Sequence, residues 1–361
     1  MPRTADTVVY EPTGGLALRT LDVPPPEPGG LLVRVTRAGV CGTEAHILAG
    51  EFPAPFAFAL GHEGVGVVAE CAAPAHDATG QPVAVGDTVY WTPSRPCHRC
   101  RRCVRENDPA NCENVVRPRP LEPLGAATFS TLARLSPGTS FHKVPEGTPQ
   151  DAVIAFGCAL PTALHGLDRA GGVCPRDDVV VLGAGPVGTA TAFAARLAGA
   201  RRIVVVGGRP ARLAAARAFG ADAVLSRTTT TRAERAAAVD RLLGTGGRRL
   251  VVEAAGSLPA FEESLALLGR DDRLLVMGLW AGSGTVPVDP FRVSRLGLRI
   301  TGSQLAQPAH YAEAVRIATD HHAAYPMASY VSHRHPLTAT EQAIKGMSGP
   351  TALKTVLEPN G

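Results

Sequence analysis

The sequence predicts an α/β protein in which a compact β-rich domain is followed by a doubly wound parallel sheet. Three observations predict it. Residues up to about 155 are rich in Gly, Pro and short apolar runs. From residue 179 onward, short apolar runs alternate with Ala-rich helical patterns. The chain of 361 residues is long enough for two full hydrophobic cores.

In the first stretch, residues 31–35, 65–69 and 87–91 alternate or cluster apolar side chains between turn signals, as strands do. Pro24, Pro25, Pro26 and Pro28 stiffen a connection between early strands. In the second stretch, strands are expected at 179–182, 203–206, 223–225, 250–253, 274–277 and 298–302. Helices are expected at 187–197, 211–219, 231–243 and 260–268. Strand–helix alternation over this length builds a parallel sheet with helices on both faces. Two tail helices, 309–319 and 340–346, and a strand, 354–357, are expected to rejoin the first domain.

Composition sets limits. The apolar fraction of 45% and charged fraction of 19% belong to a soluble globular protein. The net charge of +4 rests on scattered arginines, since Lys143, Lys345 and Lys354 are the only lysines. Scattered charge argues against a nucleic-acid tail. No run approaches the ~20 apolar residues of a membrane span. The first thirty residues show no charged start followed by an apolar core. Eight cysteines without an export signal predict a reducing, cytoplasmic compartment, where thiols are ligands more often than disulfides.

Cys97, Cys100, Cys103 and Cys112 form the most specific cluster. Two-residue gaps let neighbouring thiolates wrap one ion, and tetrahedral zinc is the leading explanation. A four-thiolate site is structural and names no reaction.

Gly183-Ala-Gly185-Pro186-Val187-Gly188 follows an apolar strand and opens a helix. In that context the glycines make the tight turn, the backbone approach to a pyrophosphate and the close helix–strand packing of a Rossmann dinucleotide site. The plain alternative is an ordinary glycine turn. The next strand ends Val206-Gly207-Gly208-Arg209-Pro210, so the acid that usually binds a ribose 2′-OH is missing and Gly207 takes its place. Arg209 and Arg212 follow, and a guanidinium suits a 2′-phosphate. NADP(H) is therefore favoured over NAD(H).

Cys41, His62 and Cys158 make a second set, of the three-ligand kind that leaves a zinc position open. Alone, each residue is equally a buried thiol or a hydrogen-bonded core histidine.

Taken together, C41-G-T-E-A-H46, G61-H-E-G-V-G66, the thiolate run, Cys158 with Pro161-Thr162, and the glycine turn resemble the zinc-dependent medium-chain alcohol dehydrogenases over nearly the whole chain. The resemblance implies a GroES-like catalytic domain at 1–158 with a structural zinc lobe at about 95–115. It implies a Rossmann domain at 159–302 and a return to the catalytic domain at 303–361. Catalytic zinc would be held by Cys41, His62 and Cys158, with Glu63 beside it or as a transient fourth ligand. Thr43 would receive the substrate proton and His46 relay it to solvent. Thr162 would lie beside the nicotinamide and Lys354 near the pyrophosphate. Cys97, Cys100, Cys103 and Cys112 would hold the structural zinc.

Two departures stand out. The last structural gap holds eight residues, one more than is usual, with a bend expected at Asp108-Pro109. Glu44 stands where Asp is commoner. Cys71 and Cys174 match no ligand.

The implied reaction is hydride transfer between an alcohol carbon and C4 of the nicotinamide, with zinc as Lewis acid. Phe52, Phe56, Trp91, Leu279 and Trp280 are candidates for an apolar substrate wall, or equally for core packing. They favour a bulky, cyclic or secondary alcohol or ketone, and residues 157–167 are similar to dehydrogenases of cyclic alcohols. The competing enzyme reading is an NAD-dependent polyol, sugar or cyclitol dehydrogenase on the same fold. A zinc-finger nucleic-acid protein, suggested by Arg99, Arg101, Arg102 and Arg105, leaves the other motifs unexplained. A scaffold that only binds dinucleotide leaves the second ligand set unexplained. The expected assembly is a homodimer or homotetramer, with 298–302 as the candidate edge.

Overall fold

The computed structural model describes residues 3–13, 15–51, 56–115, 127–278 and 284–361. The chain divides into two compact units. The first comprises Met1–Cys158, Ala306–Gly349 and Lys354–Gly361; the second comprises Ala159–Leu305 and Pro350–Leu353.

The first unit is built on a seven-stranded sheet. Its central strand, Leu31–Val40, is buried along most of its length, as expected for a run with few polar residues. It pairs antiparallel with Gly64–Cys71 on one side and with Lys354–Leu357 on the other. That second pairing sets Thr355 opposite Val40 and Val356 opposite Gly39. The carboxyl-terminal strand thus lies beside the residues that lead into Cys41. Leu31, Val33, Val35, Val89, Trp91, Phe129 and Leu357 are packed in one core cluster under the sheet.

In the second unit six parallel strands run in the order Ala223–Ser226, Arg202–Gly207, Asp177–Leu182, Arg248–Glu253, Arg273–Val276 and Arg299–Gly302. This is the Rossmann order, in which ligands bind at the carboxyl ends of the strands where the order reverses. Asp177–Leu182, the strand at the reversal, is buried throughout. The helix Arg232–Leu243 begins with a capping box, Thr231 and Glu234 bonding reciprocally. Among the described residues, no helix is long and apolar enough to cross a membrane.

One core group titrates in an accessible range. His142 is buried and neither ring nitrogen has a hydrogen-bond partner. Burial pulls its imidazole down to about 4, with Asp77 opposing. The folded pKa thus lies below the unfolded value of ~6.5. The stability tied to the neutral ring is complete above about pH 6.5 and is lost as pH falls toward 4. At ~1.4 kcal/mol per pH unit the loss is about 3 kcal/mol. Unfolding temperature should therefore drop less steeply between pH 6.5 and 4 in His142→Gln than in wild type. Equal slopes would remove His142 from the account.

Candidate active site

Cys41 follows the central strand and precedes the helix Gly42–Leu48. His62 and Glu63 precede the strand Gly64–Cys71, and Cys158 is the last residue of the first unit's long segment. Their donor atoms converge: one from each of Cys41, His62, Glu63 and Cys158 lie within 4.8 Å of one another. The two sulfurs are 3.8 Å apart. Tyr90 braces the turn before Cys158, its hydroxyl donating to the Gly157 carbonyl at 2.9 Å.

Glu44 organises the set. One carboxylate oxygen faces His62 Nδ1 at 2.7 Å and the other accepts the Cys41 backbone N–H at 2.9 Å. It sits at the third position of its helix, where a glutamate caps the amino terminus. The extra methylene relative to Asp thus does not prevent contact with the imidazole. With Nδ1 engaged, Nε2 is the nitrogen left for a metal, the arrangement in which a carboxylate orients a ligating histidine.

The electrostatics fit a cation. The hydrogen bond from Cys158 holds the Cys41 thiol well below its usual range, with His62 and Lys354 adding to this against burial. The same pairing, with burial, pushes Cys158 up. Burial pulls His62 down, but Glu44 and Cys41 outweigh it and its pKa lies well above the ordinary value. Two sulfurs beside an imidazole and two carboxylates are a donor set that zinc satisfies.

Cys97, Cys100, Cys103 and Cys112 also converge within 4.8 Å. Cys103 rides on the short helix Arg101–Val104. The eight-residue gap closes through Asn107 in the left-handed region and a 3-10 turn at Pro109–Asn111. The Arg99 backbone N–H brings the Cys97 thiol down to about 6, while burial pushes Cys103 up to about 12. Asn114 donates its backbone N–H to the Cys112 sulfur at 3.3 Å. Four thiols at this spacing suit a closed tetrahedral zinc site.

In the second unit, Gly183 has φ 118°, and a Cβ there would lie 2.7 Å from the Ala254 backbone. A Cβ on Gly188 would lie 1.7 Å from the Gly183 carbonyl oxygen. The helix Pro186–Leu197 starts with Gly185 as its N-cap, leaving its first N–H groups for a phosphate. Val187 lies in its first turn. Gly207 is closed to any side chain, because a Cβ would meet Ala184 at 2.6 Å and Leu213 at 2.8 Å. A ribose-binding carboxylate therefore has no room there. Arg209 caps the next helix, Pro210–Ala218. Arg212 donates from Nε to the Ala352 carbonyl at 2.9 Å and lies beside Gly185. Thr162 is half-buried on the helix Ala159–Arg169.

Lys354, assigned to the pyrophosphate, lies in the first unit, 2% exposed, its ammonium paired with Glu63 and donating to the Val40 carbonyl at 3.2 Å. Trp91 is a core side chain, 1% exposed, its ring filling the space against Gly64. Phe56 is half-buried and packs on Phe58 at 6.3 Å. Phe52, Leu279 and Trp280 lie outside the described residues.

Sequence reasoning missed two residues. Glu51 pairs with His46 Nδ1; its place one turn past the helix was the only signal. Arg227 donates its backbone N–H to the Gly207 carbonyl at 2.8 Å, and its guanidinium lies over Gly208. The glycine pair was the signal that something large crosses there.

Comparison with known proteins agrees with this layout. Residues 27–146 match the alcohol dehydrogenase GroES-like domain, and residues 186–320 match the zinc-binding dehydrogenase family. The chain is 38% identical to 5-exo-hydroxycamphor dehydrogenase of Pseudomonas putida, covering 94% of this chain and 95% of that one. It is 26% identical to D-arabinitol dehydrogenase 1 of Uromyces fabae, over 100% and 99% of the two chains. An alcohol dehydrogenase structure from Thermotoga maritima superimposes with a TM-score of 0.90 at 28% identity, covering 99% of this chain and 100% of that one. Fold and relatives together define a zinc- and nicotinamide-dependent oxidoreductase that acts on CH–OH groups. The chain belongs to the zinc-dependent alcohol dehydrogenases of the medium-chain dehydrogenase/reductase superfamily.

Glu44→Ala removes the contacts to both His62 and Cys41. Zinc affinity at the proposed site should fall about 10–100-fold, as is typical when a carboxylate behind a ligating histidine is lost. Competition with a chromogenic chelator measures it; an unchanged affinity would show that Glu44 only caps its helix.

Proposed function

We propose that the chain is an NADP(H)-dependent dehydrogenase of bulky cyclic or secondary alcohols, or reductase of the matching ketones, with one catalytic and one structural zinc. The observation that carries the catalytic assignment is the convergence of Cys41, His62, Glu63 and Cys158 with Glu44 fixed behind the imidazole.

Cys41, His62 and Cys158 would hold the catalytic ion and leave one position open. Zinc bound there supplies a Lewis acid that lowers the pKa of an alcohol, and the nicotinamide accepts or returns the hydride. Thr43, whose hydroxyl is 3.7 Å from the Cys41 sulfur, takes the substrate proton. His46 passes it outward, its ring held by Glu51 in a half-exposed pair. Cys97, Cys100, Cys103 and Cys112 hold the second zinc and pin their lobe.

The glycine turn from Gly183 to Gly188 takes the pyrophosphate, and Thr162 is assigned to the nicotinamide side. The exclusion of a side chain at Gly207 supports NADP(H), with Gly208 allowing Arg227 to lie close and Arg209 joining it at the 2′-phosphate. Arg212 is assigned to the pyrophosphate side on account of its place beside Gly185.

The substrate reading rests on the hydroxycamphor dehydrogenase relative, 38% identical over most of both chains. The arabinitol dehydrogenase relative, at 26%, supports the polyol alternative less. A screen of bicyclic and monocyclic alcohols and ketones against polyols, with both cofactors, decides between them. Higher kcat/KM on polyols would replace the reading. The edge strand Arg299–Gly302, with Ile300 exposed, suits pairing with a second copy of the chain.

Purified protein should contain about two zinc ions per chain. Cys41→Ala should keep one and lose turnover, while Cys103→Ala should lose the lobe ion. Equal zinc content in Cys41→Ala and wild type would refute the catalytic site. Arg209→Ala and Arg227→Ala should each raise KM for NADP(H) about 10–100-fold and leave NAD(H) nearly unchanged, since hydrogen bonds to charged groups contribute ~1.5–3 kcal/mol. Equal effects on both cofactors would place these arginines away from the 2′-phosphate.

A further inference from the structure

The Glu63 carboxylate is within reach of the ligand cluster yet fully engaged elsewhere. Oε1 accepts the Cys158 backbone N–H at 3.0 Å. Oε2 is paired with the Lys354 ammonium. Glutamate and lysine side chains are 1% and 2% exposed. The carboxylate occupies space that two glycines leave open. A Cβ on Gly39 would lie 1.9 Å from Oε2 and 3.0 Å from Lys354 Cε, and one on Gly157 would lie 2.1 Å from Oε2. Gly39 is two residues before Cys41 and Gly157 is next to Cys158, so the backbone that delivers both thiols also forms the carboxylate's cradle.

We propose that Lys354 is a positioning residue that holds Glu63 off the catalytic zinc and so keeps the metal's fourth position open. The inference rests on the assignment of that zinc to Cys41, His62 and Cys158. An ammonium buried against a carboxylate balances its charge. Without it, Glu63 faces one remaining cation, the metal, and its donor oxygen is already within 4.8 Å of those of the three ligands. Glu63 then becomes a fourth protein ligand and blocks substrate. Lys354 is thus assigned to the metal centre.

Cobalt(II) exchanged into the three-ligand site tests this, with imidazole as the probe of the open position. The Cys41→Ala protein supplies the background from the four-thiolate lobe. Wild type should show Cys41-dependent thiolate-to-cobalt absorption and visible bands that shift with imidazole. Lys354→Met should keep the absorption but require at least tenfold more imidazole for the shift. Lys354→Gln keeps a donor to Glu63 without the charge, guards against misfolding of the first variant, and should give an intermediate loss. Lys354→Met with Glu63→Gln removes both charges and should respond like wild type. Wild-type imidazole affinity in either single variant overturns the proposal, as it would if Glu63 simply took up a proton. Absence of Cys41-dependent absorption in wild type would instead overturn the zinc assignment, so the two failures are distinct.

Discussion

Four ionisable groups from three distant parts of the chain are brought together in the first unit, and the surrounding structure is arranged to make that tolerable. Burying charge without a partner costs several kcal/mol per ion. Each group here has one. His62 has Glu44, Glu63 has Lys354, and the two sulfurs have each other. Glu44 is delivered by the helix after Cys41, and Lys354 by strand pairing. Lys354 reaches Glu63 because the strand it begins is hydrogen-bonded to Leu31–Val40 in a register that sets Thr355 against Val40. A register slip of one residue would turn the ammonium to the other face of the sheet.

The second unit meets a different constraint, the close approach of backbone to backbone. Gly183 and Gly188 have no room for a side chain, and Gly207 has none either. The first two shape a phosphate site found in many dinucleotide enzymes. The third acts by exclusion: with Ala184 and Leu213 packed against it, the end of the second strand is closed to an acid. On the proposed reading, cofactor choice is tied to packing on that strand as well as to the arginines nearby.

Much of this was legible in the chain. The thiolate run, the glycine turn and the strand–helix alternation are local patterns, and their physics is local. The α/β class and the Rossmann order follow from periodicity and from the turn that punctuates it. What stayed hidden depends on contacts across long stretches of sequence. Lys354 and Glu63 are 291 residues apart, and no local pattern says that they meet. Arg227 comes to Gly208 only through parallel strand pairing. Trp91, read as a possible pocket wall, is core because its strand lies inside the sheet, with Gly64 leaving space for its ring. Sequence proximity to a metal motif does not fix which face of a strand a side chain takes.

The chemistry of residue 354 argues for a role beyond filling space. The chain has 36 lysines and arginines, and only three are lysine. Two of those, Lys143 and Lys345, form half-exposed or exposed pairs at the surface. The one buried lysine faces the candidate metal centre. A compact ammonium with three donors satisfies Glu63 and Val40 in a space that Gly39 barely leaves open, whereas a planar guanidinium is larger and demands a fork of acceptors. Arginine is this chain's usual cation, and at this buried position the geometry suits a lysine instead. The positive charge has to be small enough to lie between the strand and the carboxylate, and close enough to hold that carboxylate in place.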